Sequence, residues 1–288
     1  MALDERAALA LVAAEFPAAG DDCAVVDGTV VTTDMLHETT DFPPGTTRYT
    51  AGWRAVGASL SDVAAMGAAA TGALGVYGAP TFDPDDVGAF VRGALDVCER
   101  VEAEYVGGDL DGHDEFTVAT TALGETRTPV TRDGASAGEV IAVTGTLGRS
   151  AAALDAFETG ETERANELFR FTPRVRAGVA LNGRASAMMD SSDGLARSLH
   201  QLSEASGVGF AVEGTSIPIH DALRGEDRLA RAITFGEDFE LVCTLPPEEV
   251  APARAALDVP LAVVGDVTEA GVTMDGETLA DQGYTHGE

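Results

Sequence analysis

Lysine is missing from this sequence: all 18 basic residues among its 288 are arginine. That excludes chemistry built on a lysine amine, including the phosphate-gripping lysine of a P-loop, a Schiff base and a Ser–Lys pair. Cysteine is scarce, with Cys23, Cys98 and Cys243 far apart and no CxxC pair. An odd, scattered set makes neither a disulfide framework nor a thiolate zinc site, and it suits a reducing cytoplasm. The five histidines are dispersed with no HExxH arrangement and are read as surface or structural residues. No apolar run is long enough to span a bilayer. The opening stretch, MALDERAALALVAAEF, has acids where a signal peptide would carry positive charge, so it is read as an ordinary helix.

What the chain has in excess is acid: 48 Asp and Glu against 18 Arg, a formal charge of −30. Such a field argues against nucleic-acid backbones and anionic membranes as partners. The acids are spread along the chain, which reads as the solvated surface of a salt-adapted folded protein. With 45% hydrophobic residues the chain can bury one large core or two ordinary ones.

Patterning divides it in two. CAVVDGTVVTTDML (23–36) predicts a hairpin turning at Asp27-Gly28. TTRYTAGWRAVGASL and DPDDVGAFVRGALDVCERV predict helices, the second with Val87, Phe90, Val91, Ala94 and Val97 on one face. Asp83, Asp85 and Asp86 suit its positive end. AEYVGGD reads as a strand entering a glycine turn, and DEFTVATTALGE as another strand. After the polar joint at 130–138 the alternation restarts, with strands at EVIAVTG, MMD, FELVCTL and LAVVGDV. Helices fall after Arg149 and over PRVRAGVALNG and LARSLHQLSEA. Two α/β (α+β) domains are expected, 1–133 and 134–288.

Several acids stand at glycine turns or strand ends: GDD (20–22), TTD (32–34), SD (61–62), GGD (107–109), DSSD (190–193) and GED (236–238). The strand period of two puts Thr32 and Asp34 on one face. Oxygen donors without imidazole or thiolate suit a hard cation, Mg²⁺ above zinc. Each motif has a plainer reading. Ser61 and Asp62 could cap a helix, and so could one residue of DSSD. Cys23 and Trp53 read as core. Taken together, the acids describe a Mg²⁺-dependent site for a phosphorylated ligand, made without a P-loop.

GDDCAVV, TTDML, SDVAAMGA, GGD, VTGTLGRSAAAL, TPRVRAGVAL, MMDSSDGLA and GEDFELVCTL follow one another in the order found in thiamine-monophosphate kinases. The whole chain resembles that family, part of the aminoimidazole-ribonucleotide-synthetase-like superfamily. The resemblance implies two α/β domains, a homodimer formed through strands of the N-terminal domains, and transfer of the γ-phosphoryl of ATP to thiamine monophosphate. It places Asp22, Thr32, Thr33, Asp34, Asp62, Asp109, Asp190 and Asp193 at Mg²⁺ positions. Gly108, Asp109, Arg132 and Ser192 fall at ATP positions, and Glu237 and Tyr284 at thiamine positions. One departure stands out: where the family has a His-Phe pair, this chain has Asp41-Phe42, and Asp41 is carried as a substrate contact facing a cationic ring. His37, four places early, is not given the role. The alternatives are another ATP-dependent enzyme of the superfamily, such as an aminoimidazole ribonucleotide synthetase, or a nucleotide- or metal-binding protein without catalysis. A selenophosphate synthetase would need the lysine this chain lacks.

Overall fold

A computed structural model of the chain describes residues 11–12, 15–16 and 20–283. Tyr284 and most of the helix expected over the first 16 residues lie outside them. Strands β1 (Ala24–Val26) and β2 (Thr29–His37) form the expected hairpin, its turn made by Asp27 and Gly28 at φ of 50° and 84°. After the single turn α1 (Glu38–Asp41) comes the long helix α2 (Arg48–Ala65), whose first turn is capped by Thr47 accepting the Thr50 N–H. Ser61 and Asp62 fall in the last turns of α2, so neither caps a helix start.

Strand β3 (Ala69–Ala79) leads to α3 (Pro84–Arg100), where Asp83 accepts the N–H groups of Asp85 and Asp86. Strands β4 (Glu104–Gly112) and β5 (Thr117–Glu125) complete a five-stranded sheet of order β1-β2-β5-β3-β4, antiparallel except for the β3–β4 pair. The GGD motif is not the turn expected of it, because β4 runs straight through it to Gly112. Gly108 is needed instead for close approach: a Cβ there would lie 1.7 Å from the Gly75 carbonyl oxygen of β3.

The second sheet uses strands from the remaining chain: β6 (Val140–Thr144), β7 (Ala187–Asp190), β8 (Gly209–Val212), β9 (Leu241–Leu245), β10 (Leu261–Thr268), β11 (Val272–Met274) and β12 (Glu277–Thr278). Its order is β12-β11-β8-β10-β6-β9-β7. Between these lie α4 (Arg149–Glu158), α5 (Thr162–Phe169), α6 (Val175–Leu181), α7 (Leu195–Ser206), α8 (Arg228–Thr234) and α9 (Val250–Ala256).

Helix α2 joins the two sheets. It packs on β2, β3 and β5 of the first and on α6 and β7 of the second. Val56, Leu60 and Val63 of α2 share one buried cluster with Met188, Leu241 and Cys243 of the second sheet. Apolar burial therefore ties the halves together along this helix. Among the described residues no helix is long and apolar enough to cross a membrane.

Candidate active site

The site gathers where α2, β2 and the end of β7 meet. Strand alternation turns Thr32 and Asp34 toward α2, as their spacing predicts. Thr32 Oγ1 donates to Asp62 at 2.7 Å, and Ser59 Oγ donates to Asp34 at 2.6 Å. From the second sheet, β7 delivers Asp190, which accepts from Ser61 Oγ at 2.5 Å. From the amino end, the GDD segment brings Asp22. Carboxylate oxygens of Asp22, Asp62 and Asp190 all lie within 4.8 Å of one another. Arg132, in the segment between the sheets, forks onto Asp22 at 2.9 and 3.1 Å, and its N–H reaches Asp21 at 3.2 Å.

Such a cluster opposes its own ionisation. Two unit charges about 4 Å apart repel by roughly 4 kcal/mol at an effective dielectric of 20. Burial, then the charge of Asp22, pushes the Asp190 carboxyl up to about 7. Burial, then Asp34 and Asp190, raises Asp62 well above the usual carboxylate range. Asp34 is raised chiefly by burial. Burial, then Asp22, lifts Asp21 to about 6. A dication held among these oxygens would remove the penalty and favour the ionised forms. The donor set fits one: three carboxylates and a threonine hydroxyl, all hard oxygens, and next in sequence to Asp190 a buried Ser191 Oγ that has no hydrogen-bond partner among the described residues.

The DSSD loop does not cap the helix that follows. The N-cap of α7 is Gly194 and no side chain caps it. The loop is instead stitched to GEDFE: Ser191 N–H donates to the Glu240 carbonyl, Glu237 N–H to Ser192 and Phe239 N–H to Ser191, at 2.8, 2.6 and 3.2 Å. Glu237 and Phe239 adopt left-handed φ of 62° and 54° next to Gly236 at 79°. This is costly for residues with a Cβ and is found where surroundings over-determine a loop. A Cβ on Gly236 would lie 2.4 Å from the Ser192 carbonyl oxygen, so the two loops touch backbone to backbone.

Each acid of GEDFE has its own partner. Glu237 pairs with Arg54, and Asp238 accepts the N–H groups of Gly148 and Ser150 at the start of α4. Glu240 takes Arg174 through both oxygens. Glu237 and Asp41 then line one cavity of about 490 Å³ with Pro43, Leu154, Phe169 and Phe235. Asp41 also holds its own turn, accepting from His37 N–H and Thr40 Oγ1, each at 2.7 Å. The His37 ring points elsewhere, with Nδ1 3.1 Å from Thr117.

The structure thus brings together Asp22, Thr32, Asp34, Asp62, Arg132 and Asp190, with Ser192 and Asp193 in the adjoining loop, and sets Asp41 and Glu237 in one neighbouring cavity. It does not bring Asp109, Gly108 or the Thr33 side chain to the acids within one chain. Thr33 lies on the opposite face of β2 and donates to the Thr120 carbonyl at 2.9 Å. Asp109 lies on that outer face too, in the row Met35–Ala119–Val76–Asp109. It is three strands from β2, roughly 14 Å at the usual strand spacing. Gly108 and Asp109 line a different cavity, of about 630 Å³, with Tyr77, Phe90 and Tyr105. Arg54, Ser59 and Ser61 were not singled out from the sequence alone as site residues. Their signal was one arginine and two serines in the otherwise apolar and small-residue stretch 51–61, with Arg54 and Ser61 seven apart on one face.

Residues 20–126 match the AIR synthase related protein N-terminal domain and residues 136–275 the corresponding C-terminal domain. Two such domains, with acids gathered where their sheets meet, define the chain's class as AIR synthase related. The chain is 62% identical over 288 residues to the thiamine-monophosphate kinase of Halobacterium salinarum, covering 99% of this chain and 100% of that one. It is 40% identical over 274 residues to that of Methanospirillum hungatei, covering 92% of each. Among solved structures, one described as AaThiL complexed with AMPPCP and TMP superposes with a TM-score of 0.90 at 28% identity, over 99% of both chains. The chain belongs to the thiamine-monophosphate kinase family.

Proposed function

We propose that this protein transfers the γ-phosphoryl group of ATP to the phosphate of thiamine monophosphate, giving thiamine diphosphate and ADP. The observation that carries this is the convergence of Asp22, Asp62 and Asp190 from three distant segments, beside a cavity that presents Asp41 and Glu237. The bound relative, with its ATP analogue and TMP, supports the same pairing of ligands.

Asp22, Asp34, Asp62 and Asp190, with Thr32 and with Asp193 from the adjoining loop, would hold Mg²⁺. The ions, when bound, supply neutralisation of two anionic reactants and polarisation of the transferring group. The chain's own residues align the partners. Arg132 is the guanidinium next to the acids and can turn its fork to phosphate oxygens. Ser192 and the amino end of α7 offer further donors to them. Asp41 faces the cationic ring of the substrate and Glu237 holds the thiamine moiety, with Tyr284 assigned beside them by the family resemblance. No nucleophilic side chain is needed, because an acceptor phosphate oxygen attacks directly.

Gly108 and Asp109 enter through a homodimer. The outer face of the first sheet exposes Met35 and Val76 in the same row as Asp109. Among the described residues, β4 pairs only with β3, and β2 beyond Val31 pairs only with β5. Exposed apolar faces and free edges invite a second copy. Pairing the β4 edge of one copy with the β2 edge of the other would set Asp109 of the partner subunit beside Thr33 and Asp34. It would also place the 630 Å³ cavity, with its aromatic lining, within reach of the adenine of ATP. The division at 133/134 leaves one sheet in each domain. A reducing, salt-rich cytoplasm fits three buried free thiols and a charge of −30.

The test is product detection by mass spectrometry with Mg²⁺-ATP and thiamine monophosphate in concentrated KCl. Thiamine diphosphate with stoichiometric ADP, and none after EDTA, is expected; ATP bound without product would favour a binding protein. Asp34→Asn is expected to abolish turnover with unchanged circular dichroism, and full activity would sink the metal assignment. Mixing Asp34→Asn with Asp109→Asn chains tests the dimer. If Asp109 acts in trans, random re-association restores about one quarter of wild-type activity, because half the dimers then hold one intact site. No recovery would place both residues in the same subunit's site.

A further inference from the structure

Arg54 is 3% exposed, a buried cation in the middle of α2. Burial alone would push its guanidinium toward losing its charge, and Glu237 opposes that most strongly. A buried guanidinium persists only where its donors are met. One amino nitrogen donates to the Phe169 carbonyl and the other to Glu237 Oε2. Its Cζ lies 3.5 Å from the Phe169 ring centroid, and 5.4 and 5.6 Å from those of Phe171 and Phe239. Phe171 and Phe239 are themselves stacked at 4.2 Å, against Ala58 one turn along α2. The arginine is therefore clamped by rings on the cavity's far side, and its free fork ends on a carboxylate held in left-handed backbone.

That arrangement has a chemical consequence for the cavity. Phe169 and Glu237 are both part of its lining, and Arg54 touches both from behind. Arg54 engages Oε2, while no hydrogen bond among the described residues engages Oε1. A carboxylate fixed through one oxygen presents the other in a set direction. It can then accept from an N–H on a flat ring, and an analogue with a carbonyl at that position would set two acceptors against each other. With Glu237 paired to Arg54, and the lining's Arg231 held by Asp155, Asp41 is the lining carboxylate with no ion pair among the described residues.

We infer that Arg54 is a positioning residue for substrate selectivity: it orients Glu237 to read an exocyclic amine on the substrate's pyrimidine ring. The inference rests on reading this cavity as the site of the thiamine moiety. The experiment compares wild type with Arg54→Gln, Arg54→Lys, Glu237→Gln and the Arg54→Gln/Glu237→Gln double variant. Substrates are thiamine monophosphate and its analogue with an oxo group in place of the pyrimidine amine. Steady-state kinetics, calorimetric affinity and thermal melting are measured together.

Arg54→Gln is expected to raise KM for thiamine monophosphate about tenfold and to erase most of the amine-over-oxo preference, leaving kcat and KM for ATP near wild type. Arg54→Lys keeps the charge but not the two-armed fork, and is expected to recover part of the preference. In the Glu237→Gln background the Arg54 change should add nothing, the mark of a residue acting through another. An unchanged preference in Arg54→Gln, or the same loss with and without Glu237, overturns the proposal. Should Arg54→Gln fail to fold, unchanged selectivity in Arg54→Lys overturns it equally. Wild type that forms no thiamine diphosphate defeats the kinase reading instead. Binding then decides: equal affinity for thiamine monophosphate in wild type and Arg54→Lys overturns the role of Arg54, and no binding by wild type overturns both.

Discussion

Asp190 is buried among other acids, and that gives it a measurable signature. Its carboxyl is pushed up to about 7 and that of Asp238 to about 6, the latter by burial against the pull of Arg149. In an unfolded chain both would ionise near 4. Between about pH 4 and pH 7 the folded protein thus holds protons that the unfolded chain has released, so stability falls as pH rises across this window and then levels. A tenfold difference in proton affinity between folded and unfolded chain is worth about 1.4 kcal/mol, so the summed loss is on the order of several kcal/mol. Thermal melts in EDTA should show the melting temperature dropping over that window, and Mg²⁺ should restore it most at the alkaline end. A flat profile in EDTA would mean that neither carboxyl is held protonated by burial. At this scale the sequence was a good guide to what glycines and strand ends announce: GDD, TTD and DSSD each supply an acid to the cluster. It did not assign Arg54 or Ser59 a role, because their partners come from other elements, Phe169 and Glu237 for Arg54 and Asp34 and Thr120 for Ser59.

Elements with strong apolar periodicity or turn chemistry were legible, as with the Asp27-Gly28 hairpin, α3 and β9. Strand β3 was not, since AATGALGVYGA has few branched or aromatic residues to mark it. Its small residues exist for contact: Gly75 lets Gly108 of β4 come against it, and that same approach turned an apparent GGD turn into continuous strand. The crossing of α2 and α3 uses the same device. A Cβ on Gly93 would lie 2.0 Å from the Tyr49 carbonyl oxygen, and one on Gly52 2.1 Å from that of Phe90. Gly93→Ala must therefore pry the helices apart, at a cost of about 1–3 kcal/mol. Denaturant melts should show that loss, and a neutral outcome would mean that the helices already sit further apart.

For the molecule as a whole, charge dominates. A formal −30 on 288 residues opposes compaction, and salt at about 1 M shortens the reach of that repulsion to about 3 Å. Melting temperature should accordingly climb steeply with KCl, and a salt-independent melt would refute the salt-adapted reading. The two-sheet division was legible because each half repeats its own strand–helix alternation. The joining role of α2 was not, since its two packed faces belong to different sheets. That helix carries Arg54 behind the cavity proposed for the substrate's ring and Asp62 in the acid cluster, eight residues apart, or about 12 Å of rigid axis. It is in effect a ruler. The span from a substrate's ring to its phosphate must match a length that no loop can adjust, so an analogue one methylene longer would dock its ring and present its phosphate about 1 Å out of line, where displacement chemistry can lose about a hundredfold in rate.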